Sequence, residues 1–412
     1  MRHQRRAVIT GLGVVCPIGN DVAELAAALR EGRNGVGLLT LEPTTAQATR
    51  FACQVKSFDI ATYIDRHELR RMDRYAQFAI AATCMAVDDA GLSLSTYDPR
   101  RKGCILGSSF GGCATLASGW RTLREEGVRR LSPNFIPASL ASAAVGNVCI
   151  RFGLQGVSYG VSAACASGAC AIANGARHVQ CGEADVVLCG GAEAPICEWT
   201  ISGLNALKAL STRNDSYWSA SRPFDKDRNG FVLGEGAAVV VIEELESAIR
   251  RGRSPLAEIV GVGYSNDAYH ITAPHKCGEG YYAAMRSALS AADVAPEQLD
   301  YINAHGSSTY LNDRSEALAI QRLLEDRVSS VPVTSTKSMM GHLVGAAGAI
   351  EVVVCVIAMR DSLIPPNINY EAGDDDVRLW VSPLPINRSV KTCMTNSFGF
   401  GGHNVVLVLE HF

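Results

Sequence analysis

One cysteine and two histidines stand where side chains of their type do covalent and proton chemistry. Cys165 follows the run Val157-Ser158-Tyr159-Gly160-Val161-Ser162-Ala163-Ala164. There a β-prone segment ends, small residues turn the chain, and an Ala/Gly-rich helix is predicted to open at Cys165 and continue to Gly182. Unpaired N–H groups and the dipole at a helix start lower a thiol pKa. The thiolate is the nucleophile of covalent catalysis. The competing reading is a packed core thiol, since free cysteine is among the most buried residue types. His305 follows Tyr301-Ile302-Asn303-Ala304 and precedes Gly306-Ser307-Ser308-Thr309; His342 lies in Lys337-Ser338-Met339-Met340-Gly341-His342-Leu343. Both are predicted at strand-end turns beside glycine, where α/β proteins place reactive groups. A hydrogen-bonded structural histidine is the plain alternative for either one alone. Of the other histidines, His3 and His411 are terminal, and His67 and His178 sit in charged helical contexts that read as surface. Asn396-Ser397-Phe398-Gly399-Phe400-Gly401-Gly402 is a glycine-rich turn with aromatic residues able to gate a pocket, or a plain hairpin bend.

These residues need strands and helices to hold them. Ten short apolar runs read as strands: 7–10, 103–106, 157–161, 184–189, 237–242, 256–262, 300–304, 331–335, 390–395 and 405–409. Helical patterns lie between many of them. Asp21 is placed to cap a helix over 22–30 that stops at Gly32. Residues 68–90 carry Met72, Tyr75, Phe78, Ala82 and Met85 at helical spacing. Another helix runs from Ser132-Pro133 through Cys149, and others follow Cys165, Tyr281, Arg314 and Gly341. Alternating strands and helices predict an α/β protein with mixed or parallel sheets. The stretch 191–236 has little regular pattern, which in a compact domain marks a functional or inward-folded segment.

Two motifs mislead. Gly11-Leu12-Gly13 after a strand resembles a dinucleotide fingerprint, but the third glycine is missing and Cys16-Pro17 stands where the helix should begin. A tight turn is the better reading. Asp225-Lys226-Asp227-Arg228-Asn229-Gly230 starts like a calcium loop, but position 236 is glycine where the bidentate glutamate belongs. A turn rich in Asp and Asn is expected, not a metal site.

Composition removes other classes. The 412 residues carry 38 Lys+Arg against 41 Asp+Glu, a net charge of −3, which argues against nucleic acid as a partner. The longest apolar run, 352–359, is far short of the ~18 residues of a membrane span. The basic start is interrupted at Thr10-Gly11 and has no cleavage site, so a cytoplasmic protein is expected. The 14 cysteines include no C-x-x-C and read mostly as small core hydrophobes in a reducing cell.

Taken together the chain resembles a β-ketoacyl-[acyl-carrier-protein] synthase of the synthase II type, over nearly its whole length. The resemblance rests on Val8-Ile9-Thr10-Gly11-Leu12-Gly13, Arg70-Arg71-Met72-Asp73-Arg74, Ala164-Cys165-Ala166-Ser167-Gly168 and Leu210-Ser211-Thr212-Arg213-Asn214. It continues in Ser221-Arg222-Pro223-Phe224-Asp225, Asn303-Ala304-His305-Gly306 and the glycine-rich segments around His342 and Phe400. It implies a thiolase-like five-layer α-β-α-β-α body made of two similar halves, residues 1–260 with the cysteine and 261–412 with the histidines. It implies Cys165 as the acyl-accepting nucleophile. His305 and His342 would bind the malonyl thioester carbonyl and support decarboxylation, with Lys337 and Glu316 ordering them. The N–H groups of Cys165 and Phe400 would form the oxyanion hole. Ser307 and Thr309 would contact the phosphopantetheine arm, and Phe110 would wall the acyl tunnel. The basic run Arg66, Arg70, Arg71 and Arg74 would dock an acidic acyl carrier protein.

The implied activity is decarboxylative condensation of a Cys165-bound acyl group with malonyl-[acyl-carrier protein] in fatty-acid synthesis, without metal or bound cofactor. The alternative is the catalytic subunit of a type II polyketide or polyene pathway, paired with an inactive homologue; the dimer is then a heterodimer rather than a homodimer. A non-catalytic chain-length partner would lack the nucleophile, and a cysteine hydrolase would not explain the second histidine and Lys337. Tyr310, Phe110 and Asn134 depart from the family pattern near the pantetheine contacts, the acyl tunnel and the dimer interface. Chain length, pathway and partner are therefore open.

Overall fold

The structure, a computed structural model, describes residues 5–39 and 47–412. His3 and the first basic residues lie outside them. The strands are β1 (Ala7–Val15), β2 (Gly37–Leu38), β3 (Phe51–Ala52), β4 (Lys102–Gly107), β5 (Ser158–Val161), β6 (Val186–Glu193) and β7 (Gly236–Glu244). They continue with β8 (Ala257–Asn266), β9 (Tyr301–Asn303), β10 (Val333–Thr334), β11 (Leu363–Ile364), β12 (Ile386–Asn387), β13 (Thr392–Gly399) and β14 (His403–His411). The helices are α1 (Val22–Glu31), α2 (Arg66–Leu69), α3 (Arg74–Asp89), α4 (Cys113–Glu125), α5 (Phe135–Ser139), α6 (Ala143–Phe152) and α7 (Ser167–Gln180). They continue with α8 (Glu198–Ala206), α9 (Leu245–Arg250), α10 (Glu279–Ala292), α11 (Tyr310–Leu324), α12 (Lys337–Met340) and α13 (Ala347–Asp361).

Ten strands join in the order β10-β9-β13-β14-β8-β1-β7-β6-β4-β5, and each of the ten apolar runs supplies one. The order contains a repeat. In one half β4 pairs parallel with β5 and β6, β6 antiparallel with β7, and β7 antiparallel with β1. In the other β9 pairs parallel with β10 and β13, β13 antiparallel with β14, and β14 antiparallel with β8. A short β1–β8 pairing joins the halves. Helices α7 and α13 fill the middle layer and pack with the facing strands in the largest apolar cluster. Helices α3 and α6 cover one outer face and α10 and α11 the other. This is the five-layer α-β-α-β-α thiolase-like body. Helix α13 is buried at every residue from Ala347 to Met359, which explains why that stretch is apolar all round apart from Glu351.

Small residues set the close approaches. Gly11 and Gly13 are not a turn: they lie inside β1, where a Cβ would strike the carbonyls of Ala86 and Ala82 on α3. Gly261 and Gly263 in β8 stand in the same way against Ala288 and Ala284 of α10. Across the middle layer a Cβ on Gly168 would come 2.9 Å from the Ala349 nitrogen, and one on Gly348 2.8 Å from that of Ala169. Helices α7 and α13 therefore cross almost backbone to backbone, which brings their N-termini together.

Other expectations shift by a few residues. The helix expected over 68–90 is broken, because buried Asp73 caps a new start, accepting from the N–H groups of Tyr75 (3.2 Å) and Thr115 (2.8 Å). The helix expected through Cys149 is split at 140–142, where the Tyr75 hydroxyl binds the Leu140 carbonyl. Within 191–236 the chain forms α8 and then folds inward. Asp225 accepts from the N–H groups of Asp227, Glu371 and Ala372 and from the Arg222 guanidinium.

Candidate active site

Cys165 sits two residues before α7, in a turn forced by Ala164 at φ 47°, a left-handed conformation uncommon for a residue with a Cβ. Local bonds hold the turn. The Ala164 carbonyl accepts from the hydroxyls of Ser109 (2.8 Å) and Ser167 (2.6 Å), and the Ala163 N–H donates to Ser167 Oγ at 2.9 Å. The thiol faces a cavity of about 550 Å³ that is also lined by His305, His342, Phe110, Ser307, Thr309 and Phe400. Burial pushes the Cys165 thiol up to about 12, opposed by the Lys337 charge and the N–H groups of Phe400 and of Cys165 itself. The expected lowering at a helix start is thus reversed. The sulfur lies outside the first helical turn, and the low-polarity cavity penalises its charge more than the nearby donors relieve it.

The two imidazoles meet edge to face, with ring centroids 5.3 Å apart. Burial, then the Lys337 charge, holds both well below the ordinary histidine range, and His342 lowers His305 further. Both rings are therefore neutral at neutral pH. The Val344 N–H donates to His342 Nδ1 at 3.2 Å, which leaves the proton on Nε2. Two neutral N–H donors with a nearby thiol can stabilise a developing oxyanion or enolate.

The supporting residues act through backbone. Glu316 accepts from the N–H groups of His305 (2.8 Å) and Gly306 (2.7 Å) and from the Asn396 amide at 3.0 Å. Lys337 Nζ donates to the His305 carbonyl at 2.5 Å and forms a fully buried ion pair with Glu351. Glu351 escaped the sequence reading, although a lone acid inside an otherwise apolar helix was the available signal. Glu193 escaped it as well. Its buried carboxylate receives the Ser108 hydroxyl and the N–H groups of Ser109, Phe110 and Gly345.

Phe110 stands at the cavity wall, edge-on to Trp199 with centroids 5.8 Å apart. The Ser307 and Thr309 hydroxyls are 2.9 Å apart, and the exposed Tyr310 ring beside them lies over Arg228 at 5.1 Å. The glycine-rich turn is both hairpin and wall: residues 400–402 connect β13 to β14, and Phe398 stacks on Tyr281 at 3.7 Å. The basic run lies apart from this cavity. Arg66, Arg70 and Arg71 are exposed, and Arg70 lines a second cleft with Arg130 and Asn134. Arg74 is exposed as well, while its guanidinium pairs with Glu235 (2.9 Å) and lies over the Phe78 ring. All fourteen cysteines are free, and Cys181 and Cys277 are exposed rather than in the core. His178 is half-buried between Tyr159 and Glu183 rather than on the open surface. No helix among the described residues is long and apolar enough to cross a membrane.

Comparison with known proteins adds a family to this geometry. Residues 4–248 match the profile of the beta-ketoacyl synthase N-terminal domain, and residues 256–371 that of its C-terminal domain. The chain is 43% identical over 409 residues to the 3-oxoacyl-[acyl-carrier-protein] synthase 2 of Coxiella burnetii, covering 99% of each. Among solved structures it superposes on the ishigamide ketosynthase/chain length factor with a TM-score of 0.93 at 35% identity, covering 99% of this chain and 100% of that one. A type II polyketide ketosynthase in complex with its acyl-carrier protein gives 0.92 at 32% identity, covering 100% of both chains.

Proposed function

The chain belongs to the β-ketoacyl synthase family, and from that premise we propose how its cavity performs the family's condensation. The enzyme is an acyltransferase of fatty-acid synthesis that joins an acyl group to malonyl-[acyl-carrier protein] with loss of carbon dioxide, giving 3-oxoacyl-[acyl-carrier protein]. In our reading Cys165 sulfur attacks the carbonyl of an acyl thioester. The N–H groups of Cys165 and Phe400 receive the oxyanion, and the pantetheine thiol departs with the cysteine proton. Malonyl thioester then enters along Ser307 and Thr309. As its carboxylate leaves as CO₂, the electron pair of the broken bond forms an enolate that accepts from the neutral imidazoles of His305 and His342. The carbanion attacks the acyl carbonyl, a carbon–carbon bond forms, the carbon–sulfur bond breaks, and the Cys165 thiolate that leaves takes up one proton from water.

The observation that carries this reading is the convergence of Cys165, His305 and His342 on one cavity, with both imidazoles held neutral by burial and Lys337. Lys337 and Glu316 hold the histidine segments in place, and no resident cofactor or metal takes part. We divide the chain into a cysteine half, 1–260, and a histidine half, 261–412; the two-fold repeat of the sheet supports two halves, although β8 (Ala257–Asn266), which belongs to the second, starts before that boundary. The acidic carrier protein docks on Arg66, Arg70, Arg71 and the exposed part of Arg74. The terminal strand β5, with exposed Tyr159, Leu140 and Ile150 nearby, faces a second subunit in the cytoplasm, identical or homologous.

The test is intact-mass analysis after incubation with acyl-carrier protein. Wild type gains one acyl mass and Cys165→Ala gains none. Acylation of the alanine variant would place the nucleophile elsewhere.

A further inference from the structure

The proposed chemistry leaves Glu193 without a task, although it lies buried beside the cavity and accepts four hydrogen bonds. It ends β6 and is fully buried. Oε1 accepts from the Ser108 hydroxyl (3.0 Å) and the Phe110 N–H (3.1 Å); Oε2 accepts from the N–H groups of Ser109 (2.7 Å) and Gly345 (3.0 Å). A carboxylate has about four acceptor positions, and here all are used. The donors come from two remote segments. Residues 108–110 form the turn after β4 that carries the cavity wall. Gly345 lies three residues beyond His342. Ser109 continues the chain of bonds, since its hydroxyl donates to the carbonyl of Ala164, the strained residue before Cys165.

The Phe110 turn is also tied down at its two ends, where Ser108 N–H donates to the Val161 carbonyl (3.1 Å), Gly111 N–H to Ser108 Oγ (3.0 Å) and Gly112 N–H to the Ser139 carbonyl (3.2 Å). Glu193 is the group that ties the segment carrying Phe110 itself to the turn beyond His342. The ring has one aromatic neighbour, Trp199, itself half exposed. Resting on the function proposed above, we infer that Glu193 is a positioning residue that sets acyl-chain length, by fixing the Phe110 wall in register with the turns bearing Cys165 and His342. No other group type could do this from one point, because amide and hydroxyl side chains offer fewer acceptor positions and bring donors of their own.

The test is Glu193→Gln in the full-length enzyme. Glutamine keeps the shape but turns one oxygen into an NH₂ group facing at least one backbone N–H, so one or two of the four bonds are lost. Cys165 acylation is followed by intact mass across saturated acyl-carrier proteins from C4 to C14, alone and in a Phe110→Ala background. The long-to-short loading ratio is expected to rise about ten-fold, the equivalent of roughly two methylenes of restored contact. In the Phe110→Ala background the same substitution should leave the ratio where Phe110→Ala alone puts it, because the wall it positions is gone. Ser108→Ala removes one of the four bonds, shifts the ratio in the same direction, and carries the test if the glutamine variant does not fold. An unchanged ratio, or a proportional loss at every chain length, reduces Glu193 to a structural acid and overturns the inference. Wild type that is never acylated at Cys165 would overturn the function beneath it as well.

Discussion

Replacing Lys337 by methionine separates two things that one ammonium group does. Lys337 and Glu351 are 3% and 2% exposed at their side chains, so the pair is desolvated on all sides. Removing one partner of such a pair leaves an uncompensated buried charge and costs about 3–5 kcal/mol. Unfolding entropy is about 2.1 cal/mol/K per residue, so for a chain of this length the loss is a Tm drop of roughly 4–6 °C. Lys337→Met/Glu351→Leu replaces the pair by apolar side chains of similar volume, which is commonly neutral or stabilising. The double variant should therefore recover most of the lost Tm. It should not recover the histidines. Burial and Lys337 together depress both imidazoles, so without the ammonium they rise toward 6.5 although burial still opposes them. The sign follows: a base whose pKa rises becomes protonated at higher pH, so the acid limb of the elongation profile moves upward in both variants. The assays are thermal unfolding at pH 8 and the pH dependence of malonyl condensation on pre-acylated enzyme. A double variant as unstable as Lys337→Met alone, or an acid limb at its wild-type position in both, would refute the reasoning.

The remaining expectations are simpler. His305→Ala and His342→Ala should each still accept an acyl group on Cys165 but elongate about 10²–10³-fold more slowly, the usual loss for one preorganised donor; normal elongation removes that histidine from the enolate site. Charge reversal at Arg70 and Arg71 should raise the KM for carrier-bound substrate, more steeply at low salt, whereas Arg74→Ala should mainly cost stability through Glu235. Equal KM values for wild type and the Arg70/Arg71 variant at low salt would return those residues to a solvated face. Phe110→Ala should admit three or four further methylenes, worth roughly 2–3 kcal/mol of binding; an unchanged loading profile across chain lengths would show that the ring is no stop.

Much of this was legible in the chain because the strands are short, apolar and punctuated by glycine, and because reactive residues sit at their ends. The local signals at Asp21 and Gly32 placed α1 within one residue. What failed was non-local. The spacing of Gly11 and Gly13 looks like a turn until α3 is seen pressed against β1. The break before α3 depends on Thr115, forty-two positions away in sequence from Asp73. The Cys165 thiol was read from its distance to a helix start, a local quantity, whereas its state is set by the walls of a cavity drawn from both halves. Glu193 and Glu316 were the hardest cases, since most of their partners are backbone N–H groups that no side-chain pattern announces; Glu316 was named only through family resemblance.

The repeat in the sheet puts Cys165 and His342 at matching addresses. Cys165 stands in the turn that leads from β5 into α7, and His342 in the turn that leads from β10 toward α13, the equivalent strand and helix of the second half. The Phe110 turn after β4 likewise corresponds to the His305 turn after β9, and each is gripped through its backbone by a buried glutamate. An approximate dyad therefore runs between α7 and α13. In the proposed reaction the electrophile would be presented from one side of it and the carbanion generated on the other, so the two carbons that must bond would approach each other across that axis. The fold supplies the same strand-turn-helix address twice over, and only the identities of the side chains distinguish the half that carries the cysteine from the half that carries the histidines.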